Sequence, residues 1–262
     1  MISKSERLLI FRFLFSKKSD GYVSIFAWFS IIGISLGVAA IIIVMSVMNG
    51  FRIDLTNRII GLNSHLNIYS FDNEITNKQA DELILNIDNS FFYQHYKTIE
   101  TNGLIIKLNN SKGVMIKGYD TYDKNHYLFN SINMGALIQN PKSEILIGDS
   151  LANEMNLSIG DKVKIAIPKT DKTILGNIPR FKTLEVVGVF DLGLYEYDSN
   201  LIFLSSELVR KLLLYDEDIY NKIEFFTSSP NEIELFKNNV ESETSNLLLN
   251  FYSISWKDQN QT

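Results

Sequence analysis

The 262-residue chain has no cysteine, three histidines and four prolines. Without cysteine there is no disulfide framework, no thiolate metal site and no cysteine nucleophile. His65, His95 and His126 are scattered and share no ligand spacing with one another or with carboxylates, so a structural or surface role is expected for each. No GxxxxGKS or GxxxxGKT phosphate loop occurs, which excludes ATP hydrolysis by that loop. Neither a catalytic nor a metal site is assigned. Positive charge is in deficit: 25 Lys and Arg against 30 Asp and Glu give a net charge of -5, unlike a general nucleic-acid binder. A 45% apolar, 12% aromatic composition is nevertheless ample for a buried core.

Charge is missing altogether from Gly21 to Phe51, GYVSIFAWFSIIGISLGVAAIIIVMSVMNGF. This run exceeds the roughly 20 residues needed to cross a hydrocarbon core, and no small-residue cleavage site follows it. A retained transmembrane helix is expected over 24–48. Lys4, Arg7, Arg12, Lys17 and Lys18 precede it against Arg52 and Arg58 after it, which places residues 1–23 in the cytoplasm and the bulk of the chain outside. Gly33 and Gly37 form a small-xxx-small spacing that would let another helix approach closely.

After the span, residues 49–64 read as a helical stalk. Alternation and turn signals then predict a strand at His65–Tyr69, a helix over Asn77–Ile87, and a hairpin of Leu104–Leu108 with Val114–Tyr119 turning at Asn109–Gly113. Asp149 or Ser150 is expected to cap a short helix, a strand follows at Lys162–Ile167, and Ser229 with Pro230 opens a late helix. Strand–helix–strand at both ends of this region brackets a strand-rich middle. The expected fold is α+β: a discontinuous subdomain from 65–119 and 222–262, with a β-rich subdomain of 120–221 inserted into it.

Two of the four prolines frame one finger, IPKTDKTILGNIPR, Ile167–Arg180. Pro168 and Pro179 lack N–H donors and fix φ, which stiffens the exits from the flanking strands and discourages continued pairing. Ile174, Leu175 and Ile178 are apolar with little core to reach. Lys162, Lys164, Lys169, Lys172, Arg180 and Lys182 gather around them, and Lys162, Lys164 and Ala166 are expected on the face away from Val163, Ile165 and Ile167. A stiff, apolar, lysine-ringed finger suits a partner-binding element; a long loop folded back on its own domain is the structural alternative. Glu196 and Asp198, in YEYDS, are expected on alternating, solvent-facing strand positions.

The stretch Asp20–Leu66, DGYVSIFAWFSIIGISLGVAAIIIVMSVMNGFRIDLTNRIIGLNSHL, resembles the start of the LolC/LolE lipoprotein-releasing permeases. ILIGDSLANEMNLSIGDKVKI, GNIPRFKTLEVVGVFDLGLYEYDSNLIFLS and SWKDQNQT are similar to later parts of that family. The resemblance implies a MacB-like domain in the periplasm, carried by an inner-membrane permease of an ABC transporter that extracts lipoproteins. The implied partners are a cytoplasmic ATPase subunit of the LolD type, a second LolC/LolE-type permease, the periplasmic carrier LolA and the lipoprotein itself. No cofactor is implied. By position, the family's carrier-capturing hook falls on Pro168 to Pro179, including Ile174, Leu175 and Ile178, and its pad on Lys164, Arg180 and Lys182. The family continues past this region into three further spans, so the chain corresponds to its N-terminal portion. A competing expectation is a membrane-anchored sensor from another MacB-like or FtsX-like permease, which has no need of the finger. An anchored hydrolase lacks a nucleophile constellation.

Overall fold

The computed structural model describes residues 5–6, 8–10, 21–62, 64–122, 124, 126–173 and 176–259. The chain divides into two compact units, residues 1–57 and 58–262. The dominant element of the first is a helix, α1 (Gly21–Leu62), which contains a 31-residue apolar stretch, Ser24–Asp54, with mean hydropathy 2.7. Apolar side chains including Phe29, Ile34, Leu36, Ile43 and Val47 are exposed around its circumference. At 1.5 Å per residue its 42 residues measure about 63 Å, against about 30 Å of hydrocarbon, so a helix spanning a bilayer would continue well beyond it. Gly61, which as a glycine after an apolar-periodic stretch would be expected to end the helix, lies inside α1.

The second unit is built on β1 (Leu66–Ser70), β2 (Ile75–Thr76), α2 (Asn77–Asn86), β3 (Gln94–Lys107), β4 (Asn110–Tyr119), β5 (Ile132–Gly135), β6 (Glu144–Gly148), α3 (Asp149–Glu154), β7 (Lys162–Thr173), β8 (Gly176–Phe190), α4 (Tyr195–Asn200), β9 (Leu201–Ser205), α5 (Ser206–Leu213), β10 (Ile219–Tyr220), β11 (Lys222–Phe226), α6 (Ile233–Asn246), β12 (Phe251–Ser255) and α7 (Trp256–Gln259). Ten strands share one sheet, β12-β1-β11-β3-β4-β9-β6-β8-β5, with β7 bridging β3 and β8. That bridge closes β3, β4, β9, β6, β8 and β7 into a six-stranded ring. Its β4–β9 and β6–β8 pairs are parallel and the others antiparallel.

Three buried clusters follow the two faces of this sheet. Ile105, Ile116, Ile147, Val163, Ile165, Leu184, Val186, Ile202 and Leu204 face inward from all six ring strands and pack with Leu151 of α3 and Leu208, Val209 and Leu212 of α5. Each such side chain contributes about 1.5–3 kcal/mol by leaving water. Beside the ring, Leu66, Ile68, Ile223 and Phe225 of β1 and β11 bury against Leu83 of α2 and Phe236 and Val240 of α6. A third cluster lies on the outer face of β6, β8 and β9, where Leu128 and Ile138 cover Leu146, Phe190, Leu201 and Phe203.

β3 belongs to both assemblies. Its Gln94–Thr98 pairs with β11, and its Leu104–Ile106 pairs with β7 on the same edge. The division into 65–119 plus 222–262 and 120–221 therefore stands as a proposal in which β3 and β4 form a shared wall. At Gly103 the approach is closest: a Cβ there would lie 2.6 Å from Ile116 Cδ1 and 2.7 Å from the Ala166 carbonyl oxygen. Glycine at this position lets β7 dock on β3.

Several local expectations are corrected. The hairpin strands are longer, and the turn is only Leu108-Asn109, with Leu108 at φ 53°. The cap of α3 is Gly148, without a side-chain hydrogen bond. α2 starts at a capping box: Gln79 N donates to Thr76 Oγ1 (3.2 Å) and Thr76 N donates to Gln79 Oε1 (3.0 Å). Ser229 and Pro230 open a 3₁₀ turn that leads into α6.

Candidate partner-docking surface

The finger is a β-ribbon and not a loop. β7 and β8 keep pairing beyond the barrel, through Thr170 with Pro179, Asp171 with Ile178, Lys172 with Asn177 and Thr173 with Gly176. Pro168 does not end the ladder because the register shifts between Ile167 and Thr170, and Pro179 stands in the ladder opposite Thr170. Pro168 and Lys169 fall in that bulge, where no ladder N–H is required. β3 pairs with β7 as far as Ala166 and β6 with β8 from Glu185, and among the described residues no third strand pairs with the ribbon past Ile167. From Ile167 to Thr173 the ribbon measures about 20 Å at 3.3 Å per residue. Ile174 and Leu175, at the expected tip, lie outside the described residues.

At the root of the ribbon the cross-strand pairs are Lys162–Glu185, Val163–Leu184, Lys164–Thr183, Ile165–Lys182, Ala166–Phe181 and Ile167–Arg180. Directly opposed residues share a face. Lys164 therefore lies on the outer face of the barrel wall, whereas Lys182 and Arg180 share the face of Ile165 and Ile167. The three residues expected to act together are divided between two faces. Lys164 and Lys182 are exposed; Arg180 is half-buried and donates from its Nη1 to the Lys211 carbonyl at the end of α5 (3.0 Å). Ala166 lies on the outer face, as expected, and is buried between its neighbours there.

The carboxylates Glu196 and Asp198 lie on α4, which corrects the expected strand. Asp198 is buried and accepts from the Leu192 amide (2.8 Å), while Glu196 is exposed. Burial pushes the Asp198 carboxyl above its ordinary range, and the adjacent Asp191 adds to this against the Leu192 amide. Gly148 makes room for α4, since a Cβ there would sit 2.1 Å from the Asp198 carbonyl oxygen. Among the histidines, buried His65 accepts at Nδ1 from the Thr227 amide (2.8 Å) and His126 caps the turn at Leu128 (3.3 Å).

One polar constellation escaped the sequence reading. Glu224 on β11 accepts from Lys117 on β4 (3.1 Å), Lys222 (2.9 Å) and the Tyr119 hydroxyl (2.7 Å), and Lys222 also pairs with Glu100 on β3 (3.0 Å). Lys117, Lys222 and Glu224 are each at most 5% exposed. Burial alone would raise the Glu224 carboxyl, but the two ammonium groups and the tyrosine outweigh it and hold the group well below the usual carboxylate range. Lys222 is held above the usual lysine range by Glu224 and Glu100, against its own burial. The cluster fastens β11 to β3 and β4 through charge. Its signal in the sequence was Lys222 and Glu224 two apart in the apolar run KIEFF, hence on one face.

Against known proteins, residues 27–242 match the MacB-like periplasmic core domain. The chain belongs to this family. Its curated relatives include the "Lipoprotein-releasing system transmembrane protein LolC" of Neisseria meningitidis serogroup B, 28% identical over 79% of this chain and 51% of the relative. LolC of Buchnera aphidicola subsp. Schizaphis graminum is 26% identical over 94% of this chain and 60% of the relative. LolE of Haemophilus influenzae is 25% identical over 84% and 54%. The chain spans about half the length of the first curated relatives it matches.

Proposed function

We propose that the chain is the N-terminal portion of a LolC-type permease, in an ABC transporter that releases lipoproteins from the inner membrane and hands them to the periplasmic carrier LolA. In this reading α1 is the first membrane span, Gly33 and Gly37 receive another helix, and the unit 58–262 stands in the periplasm. A Cβ at either glycine would meet nothing within 4 Å, leaving that approach open. ATP is hydrolysed by a separate cytoplasmic subunit of the LolD type, and a second LolC/LolE-type permease completes the membrane part. The ribbon Pro168–Pro179 is the hook, with Ile174, Leu175 and Ile178 as its apolar residues and Lys164, Arg180 and Lys182 as flanking cations.

The observation that carries the reading is the ribbon itself. The described backbone carries a two-stranded extension of about 20 Å, and a sheet edge without a partner strand is normally blunted or covered. Such an extension fits a partner that grips it, and the LolC relatives are named as parts of a lipoprotein-releasing system. The test is LolA binding to the full chain in nanodiscs, repeated after residues 169–178 are replaced by Asn-Gly. The intact chain binds and the shortened one loses at least about tenfold in affinity; equal binding by both removes the hook role. Binding of neither favours the sensor reading.

A further inference from the structure

Between β4 and β6 the chain makes an excursion over residues 120–143 that bounds an open cleft of about 560 Å³. Tyr122 and Phe129 line it from one limb, and Ile132, Leu137 and Ile138 line it from the other. Both limbs are pinned. Tyr122 Oη donates to the Leu204 carbonyl (2.6 Å), Ala136 N donates to the Val187 carbonyl (3.0 Å), and the Glu144 carboxylate accepts from the amides of Gln139 (2.6 Å) and Asn140 (2.8 Å). The walls are therefore held in place before any ligand arrives. Gly135, in the wall, has φ 82°, and a Cβ there would lie 2.1 Å from the Val187 carbonyl oxygen, so only glycine fits this bend. The same excursion buries Leu128 and Ile138 but leaves Phe129 42% exposed. The cleft lies beside β5, whose partners on β8 begin at Gly188, about 26 Å along the strand from Arg180 at 3.3 Å per residue. It is separate from the ribbon and from the ribbon's root.

We infer that this cleft binds a single-chain amphiphile with an anionic head, its hydrocarbon against Tyr122, Phe129 and Leu137 and its head at Lys124. The inference goes beyond the carrier-docking reading and does not depend on it. Three observations fix the class of ligand. A volume of about 560 Å³ falls within the range of about 300–1,000 Å³ typical of small-molecule sites, and it is too small to receive a folded domain. The walls are largely apolar, so the body of the ligand is hydrocarbon. Among the described lining residues Lys124 alone carries charge, and Gln139 adds a carboxamide beside it in the lining, so the polar end of the ligand is an anion. Lys124 is exposed, which leaves its ammonium group within reach of a head that stays in water while the chain is buried.

The probe is a photoreactive dodecanoate, irradiated with the full chain in nanodiscs, and the labelled peptides are located by mass spectrometry. Label on α1 in the same sample corrects for probe held in the bilayer. The expected label falls within residues 122–139. Ala136→Phe fills the cleft and lowers that label about tenfold or more, with thermal unfolding unchanged because Ala136 is exposed. Lys124→Glu lowers the dodecanoate label about threefold or more and raises the label from a photoreactive dodecylamine, since the charge at the mouth is reversed. No label within residues 122–139 of the unsubstituted chain overturns the proposal. Label that Ala136→Phe leaves unchanged overturns it too, because the probe then sits elsewhere on the surface. A carboxylate-to-amine ratio that ignores Lys124→Glu removes the anionic head from it. Self-association that Ala136→Phe abolishes, with no label in the cleft, assigns the site to a second copy of this chain and likewise overturns the inference.

Discussion

Replacing Glu224 by glutamine removes the acid on which two buried lysines and a tyrosine converge. Lys117 and Lys222 then share Glu100 alone, at 4.0 Å and 3.0 Å, and that carboxylate is 25% exposed. Breaking a buried pair by removing one partner costs about 3–5 kcal/mol, mostly because the remaining charge is uncompensated. For a unit of this size each kcal/mol moves the midpoint by about 2–4 °C, so the substitution lowers Tm by roughly 6–20 °C. Glu224→Leu combined with Lys222→Met recovers at least half of the loss, since Lys117 keeps Glu100 and the other pair is replaced by apolar volume. The pH dependence has a definite sign. A carboxyl whose folded pKa is depressed stabilises fully above its unfolded value near 4.5 and loses that contribution as pH falls toward the folded value. The gap between the wild-type chain and the glutamine variant therefore narrows below pH 4.5. Urea denaturation followed by near-ultraviolet circular dichroism measures both effects. A cost under about 1 kcal/mol, or a gap that ignores pH, refutes the charge-clamp account.

Other expected outcomes follow from single contacts. Gly103→Val pushes a side chain against Ile116 and the Ala166 carbonyl, loosening β7 from β3 at a cost of about 1–3 kcal/mol; hydrogen exchange should rise first at Leu104–Ile106. Thr76→Ala opens the capping box of α2 and costs about 1 kcal/mol in urea midpoint experiments, whereas Thr76→Ser preserves most of it. Lys164→Glu, on the face of Phe181, slows LolA association more than Lys182→Glu on the opposite face, and the difference shrinks in high salt. Asp258 accepts from Lys237 (2.8 Å) and from Ser255, which holds its carboxyl down to about 2; its support for the C-terminal turn is complete above the ordinary Asp value of 3.8 and fades as pH falls below it, visible as exchange at Trp256.

Local chemistry made much of this fold legible. The uncharged run from Gly21 to Phe51 announced α1, and the alternation of Val163, Ile165 and Ile167 identified the inward face of β7, because period and polarity report burial directly. Which strands pair is not local information. Closure of the barrel depends on β3 meeting β7 some sixty residues later, and on two parallel pairs, neither of which leaves a pattern within one strand. Pro168 was read as the end of pairing because a proline lacks a donor; a bulge supplied a position that needs none. YEYDS has a strand-like alternation, but α4 forms there because a buried Asp198 must bond Leu192 and because Gly148 admits its backbone. The basic cluster was visible by composition, whereas its division between two faces required the register.

The most direct test of the docking account places a photo-crosslinking amino acid at Ile178, on the ribbon, in cells that produce both this chain and LolA. Leu85 of α2, 83% exposed and remote in the fold, serves as the control position. The account predicts a LolA adduct from position 178 and none from position 85. LolA adducts of equal yield from both positions, or from position 85 alone, contradict it.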